Sequence, residues 1–158
     1  MKRRNLFTLL AAAGLASRSR AAGSTTSSIG RLDLPDEEWR KRLSPEQYRV
    51  LRHEATEPRQ SSPLNHEKRR GTFVCAGCEL PLFDSAMKYE SGTGWPSFFD
   101  VLPGAVGTKR DWSLIIPRTE YHCARCEGHQ GHVFEDGPAP TGLRYCNNGV
   151  ALRFEAAA

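Results

Sequence analysis

The sequence lacks several features that define other classes of protein. Its apolar run from Leu6 to Leu15 is too short for a permanent membrane helix, which needs about 20 residues. No internal repeat of solenoid length is visible, which excludes an array of stacked repeats. With 158 residues, 39% of them hydrophobic, the chain has room for one domain with its own core.

A net positive charge is lacking outside the first 22 residues. That segment holds five of the 22 basic residues and none of the 18 acidic ones, although the net charge of the chain is +4. The remainder therefore carries 17 basic against 18 acidic side chains and is nearly neutral. Such a balance gives no electrostatic basis for binding nucleic acid, so we expect no nucleic-acid partner.

The first 22 residues have the layout of an export signal. Arg3 and Arg4 precede the apolar run, and small residues end the segment. Adjacent arginines favour a twin-arginine signal, which exports folded proteins, and an ordinary secretory signal is the alternative. The predicted organisation is an export signal in residues 1–22, a flexible tether in 23–33 and a domain in 34–158. The expected location is the bacterial periplasm, without membrane contact after signal cleavage.

The domain is predicted to begin with a helical segment. Ser44, Pro45 and Gln47 have the spacing of a capping box with proline at the first helical position. We predict that Pro58 ends this helix, because proline cannot continue one.

Short strand-like segments separated by glycine and proline follow from Gly71 onward. The strand candidates are GTFVC (71–75), WSLIIP (112–117), EYHC (120–123), HVF (132–134), LRYCNNG (143–149) and VALRF (150–154). Because their connections are short, we expect the strands to be antiparallel. The predicted fold is therefore mainly β, preceded by a helical segment.

Four of the five cysteines form two C-x-x-C units. These are Cys75 with Cys78, and Cys123 with Cys126. Two such units complete a tetrahedral zinc shell with no open position, so we predict one structural Zn²⁺ per chain. Disulfides are the alternative in an exported protein, although a disulfide within C-x-x-C is strained. A metal held by these units would tie together two distant segments of the domain.

Two histidines follow the second cysteine pair at three-residue steps. His129 and His132 are alternative metal ligands, but four cysteines already complete a zinc shell. Histidine transfers protons near neutral pH, and the glycines before each histidine allow close approach. Taken singly, each histidine is more typical of a structural hydrogen bond; as a pair they indicate part of a site.

The fifth cysteine, Cys146, lies in the segment RYCNN. In an extended strand, Arg144, Cys146 and Asn148 point to the same side. A fixed positive charge lowers the pKa of a neighbouring thiol and makes it reactive, and the Asn148 amide can orient a polar group. The alternative is an inert buried cysteine, against which the polar neighbours argue. In SGTGWPSFF, Trp95 is either a core residue or the wall of a small apolar pocket.

These motifs together resemble the type B methionine sulfoxide reductases. The blocks GTFVCAGCELPLF, YESGTGWPSFFD, RTEYHCARCEGHQGHVFEDGPAPTG and LRYCNNG match that family in the same order, over roughly residues 36–154. The resemblance implies a mainly β fold of two small antiparallel sheets, tent- or barrel-like, with a structural zinc distant from the active site. It also implies reduction of the R epimer of methionine sulfoxide in oxidised proteins or peptides. We expect a monomer.

The same resemblance implies a role for each site residue. Cys146 would attack the sulfoxide sulfur and become a sulfenic acid, while His129 and His132 would hold the sulfoxide oxygen or a protonating water. Trp95 would receive the methyl group, with Phe134 nearby. The remaining assignments are Arg144 and Asn148 as supports of the thiolate, and Cys75, Cys78, Cys123 and Cys126 as zinc ligands.

Four positions depart from the family pattern. Many relatives carry a cysteine at the position of Thr93, and that cysteine resolves the sulfenic acid. Here no spare thiol remains, so we predict an external reductant, either a thioredoxin-like protein or a small thiol. Gln130, Asn147 and Gly149 also differ from the residues usual in the family.

Two other function classes fit the cysteine pairs alone. A zinc-binding interaction module without catalysis would need the four paired cysteines but would have no use for Cys146 beside two histidines. A general thiol–disulfide oxidoreductase would work through the C-x-x-C units themselves. The reductase is favoured because it accounts for all five cysteines.

Overall fold

The computed structural model of the protein describes residues 29–158. The predicted export signal lies outside these residues, as does most of the predicted tether. The described residues contain the whole of the predicted domain.

The described end of the predicted tether, residues 29–33, has contacts with the domain. The backbone N–H of Leu32 donates to the carbonyl oxygen of Arg125 at 2.7 Å, and Arg31 forms an ion pair with Glu127 at 2.9 Å. The chain is therefore attached, from its first described residues, to the loop that carries the second cysteine pair.

Two short helices open the domain, α1 (Asp36–Arg42) and α2 (Pro45–His53). The predicted capping box of α2 is confirmed. The Ser44 hydroxyl accepts from the Gln47 backbone N–H, and the Gln47 side chain accepts from the Ser44 backbone N–H. These two bonds satisfy backbone donors that a helix start otherwise leaves without partners.

The end of α2 differs from the prediction. The helix ends at His53 rather than at Pro58, because Glu54 adopts a left-handed backbone conformation with φ 55°. A left-handed residue after the last turn is a common helix stop, here without the usual glycine. In the described part of the chain, no helix is long and apolar enough to cross a membrane.

Nine strands follow within the described residues. They are β1 (Gly71–Cys75), β2 (Pro81–Asp84), β3 (Lys88–Tyr89), β4 (Ser97–Phe98), β5 (Val106–Asp111), β6 (Arg118–Cys123), β7 (His129–Phe134), β8 (Arg144–Asn147) and β9 (Leu152–Ala156). All pairings are antiparallel, in a three-stranded sheet β2-β1-β9 and a six-stranded sheet β3-β4-β8-β7-β6-β5. The predicted mainly β fold with two antiparallel sheets is confirmed.

One of the six strand candidates is wrong. Five overlap β1, β6, β7, β8 and β9, but no strand among the described residues includes 112–117. That segment is instead an exposed connection between β5 and β6. An apolar segment is stabilised as a strand by packing on its neighbours, and this connection has no core to pack on.

Sequence periodicity did not reveal β5, because this strand is polar. It pairs with β6 from Val106 opposite Cys123 to Asp111 opposite Arg118 and forms one edge of the six-stranded sheet. An edge strand is partly solvated, so its side chains need not alternate between apolar and polar.

An aromatic cluster joins the two sheets. Phe73 and Phe83 come from the three-stranded sheet, Phe98 and Tyr121 from the six-stranded one, and all four are buried. Phe83 stacks on Phe98 with ring centroids 4.0 Å apart, and Phe73 meets Phe98 edge-on at 5.0 Å. Such pairs contribute about 0.5–1.5 kcal/mol each beyond their buried area. Because this face of the six-stranded sheet forms the core, its opposite face is available for polar side chains.

Candidate active site

Cys146 lies in β8, between strands β4 and β7. The register places it opposite Ser97 on one side and opposite His132 on the other. Directly opposed residues in an antiparallel pair have Cβ atoms about 4.5–5.5 Å apart. The sheet therefore brings a thiol and an imidazole together on one face.

The predicted alternation along β8 is confirmed. Arg144 and Cys146 line a cavity, whereas Tyr145 and the Asn147 side chain turn toward the core. Tyr145 meets Tyr121 edge-on at 5.2 Å, and the Asn147 amide oxygen accepts from the Tyr121 hydroxyl at 2.6 Å.

The cavity in front of the Cys146 thiol has a volume of about 200 Å³. Its lining consists of Thr56, Thr93, Trp95, Arg118, Gly131, His132, Phe134, Arg144, Cys146, Asn147 and Asn148. Sites for drug-sized ligands measure about 300–1,000 Å³, so this one suits the end of a single side chain. Six of the seven residues predicted for catalysis and substrate binding meet here.

The guanidinium of Arg144 is held on two sides. Its Nε and Nη2 donate to the carboxylate of Asp136, each at 2.8 Å, and its Cζ lies 4.3 Å from the ring centroid of Phe134. A bidentate pair together with ring stacking fixes the position of the positive charge. Asp136 also offsets part of this positive charge, so Arg144 lowers the pKa of a neighbouring thiol less than an unpaired arginine would.

Arg144 lowers the pKa of Cys146, as expected, but the pKa of this thiol is nevertheless raised overall. Burial raises the pKa of the Cys146 thiol above its ordinary value. Arg144 and the Thr93 hydroxyl act in the opposite direction without overcoming burial, and Asp136 adds to the rise. The thiol therefore keeps its proton at neutral pH.

His132 is held in place by Asp111 of β5. Its Nε2 lies 2.7 Å from Asp111 Oδ2, which also accepts from Arg118 Nη2 at 2.7 Å. Hydrogen bonds from Ser113 and His132 hold the pKa of the Asp111 carboxyl well below its usual range, so this carboxylate only accepts. Burial lowers the pKa of His132, so its ring is neutral at neutral pH. The ring proton then lies on Nε2, and Nδ1 keeps a free lone pair.

His129 does not line the cavity, in contrast to its predicted contact with substrate. Residues three apart in a regular strand face opposite sides, but the strand register shifts between Tyr121 and His122. This bulge brings the His129 ring to 5.5 Å from the His132 ring. His129 is only 2% exposed, and its Nδ1 lies 2.9 Å from a carboxylate oxygen of the equally buried Glu120. It packs behind His132 instead of facing the cavity.

Glu57 connects the walls of the cavity, although no sequence pattern indicated it. Its carboxylate is 3% exposed and accepts from the backbone N–H groups of Gly149 (2.7 Å) and Val150 (2.8 Å). Its own backbone N–H donates to Asn148 Oδ1 at 3.0 Å, and its carbonyl accepts from Trp95 Nε1 at 3.2 Å. Glu57 thus positions two of the predicted site residues.

The Asn148 amide has one donor left for a ligand. Its Oδ1 accepts from Glu57, and its Nδ2 donates to the carbonyl of Gln130 at 3.0 Å. A primary amide has two N–H groups, so one remains to donate into the cavity.

Thr93 belongs to a row of hydroxyl groups beside the thiol. Its hydroxyl lies 2.8 Å from that of Ser91, which lies 2.7 Å from that of Ser97. The two glycines next to Thr93 have φ of 73° and 88°, a left-handed conformation that glycine adopts without steric cost. This turn brings a hydroxyl into the cavity next to Cys146.

The other four cysteines form a separate cluster. Cys75 and Cys78 lie at the end of β1, Cys123 and Cys126 at the end of β6, and their sulfurs all lie within 4.8 Å of one another. The separations of 3.7 Å between Cys75 and Cys126 and 3.4 Å between Cys78 and Cys123 are too long for a disulfide. Four buried, converging sulfurs fit a metal site.

The two C-x-x-C turns have the same backbone geometry. The N–H of Glu79 donates to the carbonyl of Cys75 at 2.8 Å, and that of Glu127 to the carbonyl of Cys123 at 2.9 Å. Both glutamates are left-handed, with φ of 61° and 58°. Non-glycine residues rarely adopt this conformation, so the repeated geometry supports a cluster built to hold one ion.

The three further departures from the family pattern have structural explanations. Gln130 is buried and its Nε2 donates to the Cys75 sulfur at 3.4 Å. Asn147 is buried and accepts from Tyr121. At Gly149, an added Cβ would lie 2.0 Å from the Ser62 hydroxyl, so the site leaves no space for serine.

Comparisons with known proteins identify relatives of this chain. A family model described as the SelR domain matches residues 43–156. The chain is 52% identical over 121 residues to peptide methionine sulfoxide reductase MsrB of Leptospira interrogans, covering 76% of this chain and 92% of the relative. It is 54% identical to MsrB of Methanosarcina barkeri, covering 78% and 88%. It is 48% identical to the chloroplastic reductase B1 of Arabidopsis thaliana, covering 78% and 61%.

Proposed function

Because the chain belongs to the SelR domain family of peptide methionine sulfoxide reductases, we propose that the cavity at Cys146 is where it reduces its substrate. The chain is a peptide-methionine (R)-S-oxide reductase that works through cysteine. One observation carries the assignment of the site. The single cysteine outside the four-cysteine cluster faces a cavity lined by both Trp95 and His132.

The cavity walls distinguish the two small substituents on the sulfoxide sulfur. Trp95 and Phe134 offer apolar surface to the methyl group, whereas His132, Arg118 and the free N–H of Asn148 offer polar partners to the oxygen. Exchanging methyl and oxygen would place oxygen against the rings and leave the polar groups without partners. This arrangement supports selection of one epimer, because unpaired buried polar groups are costly.

The reductive step needs no outside electron donor. The Cys146 sulfur bonds to the sulfoxide sulfur as the protonated oxygen leaves that sulfur. A hydroxide equivalent then bonds to the Cys146 sulfur and the sulfur–sulfur bond breaks, which leaves Cys146 as a sulfenic acid. Methionine is released. Two electrons pass from the thiol to the sulfoxide, and the proton of the thiol accompanies the oxygen.

His132 transfers this proton. It lies opposite Cys146 in the β7–β8 register, and Asp111 holds the ring proton on Nε2. The free lone pair on Nδ1 accepts the proton of the thiol and passes it toward the sulfoxide oxygen. A base is needed at this position because burial raises the pKa of Cys146.

The sulfenic acid is reduced by a thiol from outside the chain. One outside thiol forms a mixed disulfide with Cys146 and releases water, and a second thiol breaks that disulfide. Thr93 cannot form a disulfide, and the remaining four cysteines lie in the cluster. A thioredoxin-like protein or a small thiol supplies the two equivalents.

Zn²⁺ is the metal that fits the four-cysteine cluster. Four thiolates would complete its tetrahedral shell, so the ion would be structural and would take no part in sulfoxide reduction. The Gln130 N–H that points at the Cys75 sulfur supports this assignment, because a thiolate is the better acceptor.

The cellular setting follows from the first 22 residues. Their paired arginines and apolar run support export by a twin-arginine pathway to the bacterial periplasm, with the zinc loaded before export. Oxidised envelope proteins would then be the substrates for repair. We also propose that the protein works as a monomer.

An epimer-resolved assay tests the proposal. The protein is incubated with the separate R and S epimers of N-acetylmethionine sulfoxide, with dithiothreitol or a thioredoxin system, and the N-acetylmethionine formed is measured. We expect turnover of the R epimer alone with at least one thiol donor, and Trp95→Ala should lower the turnover of R. Equal turnover of both epimers would contradict the proposed assignment of the cavity walls.

A further inference from the structure

The connection between β5 and β6, residues 112–117, is an exposed apolar loop. Trp112 is 72% exposed, Leu114 55%, Ile115 103% and Ile116 78%. Within residues 29–158, all exposed large hydrophobic side chains belong to this loop. Grouped apolar exposure of this kind marks an interaction surface, since soluble proteins normally scatter such residues singly.

The two ends of the apolar loop belong to the active site. Asp111 and Arg118 pair across β5 and β6 immediately before and after it. Arg118 lines the cavity, and Asp111 holds His132. At about 3.3 Å per residue, the Cα of Ile116 is within about 7 Å of that of Arg118. The apolar loop therefore begins and ends at residues of the site.

We propose that the apolar loop is the docking surface for hydrophobic residues that neighbour methionine sulfoxide in an unfolded polypeptide. This inference rests on the proposed function and names the class of substrate that the same site prefers. The cavity of about 200 Å³ holds only the end of one side chain. The rest of a polypeptide must lie outside it, against the surface around Arg118.

The chemistry of oxidised methionine indicates the same occupant. Methionine packs mainly in hydrophobic cores, and its sulfoxide disrupts them. A damaged segment therefore exposes the apolar neighbours of the sulfoxide together with the sulfoxide itself. An apolar surface beside a cavity for the sulfoxide matches both parts of such a segment.

A bilayer surface or a second copy of the chain are the competing occupants. Neither requires that the apolar loop begin and end at residues of the active site, whereas a polypeptide substrate does. The position of both loop ends at the active site therefore favours the polypeptide.

The test compares three substrates with the variant W112S/I115S/I116S. The substrates are N-acetyl-(R)-methionine sulfoxide and two peptides of equal length, whose central (R)-methionine sulfoxide is flanked by leucine and valine or by serine and glycine. We expect wild-type kcat/KM to be about tenfold higher for the apolar peptide, from the burial of about one side chain. The variant should lose this preference and keep its rate on the acetylated amino acid.

The matched control is W112F/I115L/I116L, which keeps the apolar surface and should keep the preference. A preference that persists in the serine variant would overturn the inference, as would an equal loss on all three substrates. The inference would also be overturned if the serine substitutions abolished binding to phosphatidylglycerol vesicles, or self-association, while the peptide preference remained. If the wild type were inactive toward the acetylated amino acid, the proposed function would be refuted instead. The rate on the acetylated amino acid therefore tests the proposed function, and the preference between the two peptides tests the docking surface.

Discussion

Two regions of this molecule use the same side chain in opposite ways. In the four-cysteine cluster, the sulfurs are buried within 4.8 Å of one another at the ends of two strands. Cys146 lies alone within β8, partly exposed, with no second sulfur in the cavity described here. The cluster sulfurs can share one ion, whereas the lone sulfur can react with what enters the cavity.

The comparison shows that neighbours, rather than residue type, decide the fate of a cysteine. Each cluster sulfur has three other sulfurs as partners, and its backbone turn is closed by a left-handed glutamate. Cys146 faces a histidine, a guanidinium and a hydroxyl, which handle protons and charge. Changes that exchange or weaken these neighbours should therefore affect one region and spare the other.

The largest effect is expected from Cys146→Ser. Serine cannot attack the sulfoxide and reduce it, so turnover of the R epimer should fall by about 10⁴-fold or more, as for other lost nucleophiles. Zinc content and melting temperature should match those of the wild type, because Cys146 lies outside the cluster. Activity assays, metal analysis and thermal unfolding check this prediction, and appreciable residual activity would show that another group reduces the substrate.

The second-largest effect is expected from Cys126→Ser, and it concerns metal binding and stability. Loss of one of the four sulfurs should abolish tight zinc binding and lower the free energy of unfolding by about 3 kcal/mol or more, because metal binding is coupled to folding. The melting temperature should fall by about 10 °C. A strong chelator should destabilise the wild type and Cys146→Ser to the same degree. A stable, active Cys126→Ser protein without zinc would show that the cluster is dispensable.

A smaller effect is expected from Glu57→Ala, which removes the acceptor for the buried Gly149 N–H and the partly buried Val150 N–H. The buried group should cost about 1–3 kcal/mol and the partly buried one about 1 kcal/mol, so the free energy of unfolding should fall by about 2–4 kcal/mol. The backbone bonds of residue 57 to Asn148 and Trp95 remain in alanine, but the segment after Asn148 loses its anchor at Gly149 and Val150, so kcat/KM should fall even where the protein is fully folded. Glu57→Gln, which keeps one acceptor oxygen, should lie between the wild type and alanine, and zinc content should be unchanged in both.

The smallest effect concerns the pH dependence of Cys146 alkylation. Thiolate is the reacting species, and a raised pKa lowers its fraction at neutral pH, so iodoacetamide should react slowly at pH 7 and faster as pH rises. Arg144→Gln should slow the reaction several-fold by removing a positive charge, and Asp136→Asn should accelerate it similarly by removing a negative one. Peptide mapping should find the cluster cysteines unlabelled while zinc is bound. A rate that levels off at a pH below the ordinary thiol pKa would contradict the raised value.

Local patterns in the sequence were enough to predict part of each region. The C-x-x-C spacing indicated the cluster, and the two-residue period of a strand placed Arg144 beside Cys146. The capping box at Ser44 was predicted for the same reason, since all its partners lie within three residues.

Other features depend on contacts that no local pattern contains. A register shift beside His129 decided which way its ring points, and burial by the surrounding fold decided the pKa of Cys146. Glu57 reaches Gly149 across 92 positions of the chain. Residues 112–117 have the composition of a strand but no core to cover them.

Gln130 contacts both the four-cysteine cluster and the wall of the cavity. Its side chain donates to a cluster sulfur, Cys75, while its backbone carbonyl accepts from both the side chain and the backbone N–H of Asn148. A single residue thus separates the four-cysteine cluster from the wall of the cavity. If the cluster holds zinc, as proposed, oxidation severe enough to strip the metal would loosen that wall as well. The reductase would then lose its activity under the harshest oxidation, when methionine sulfoxide is most abundant.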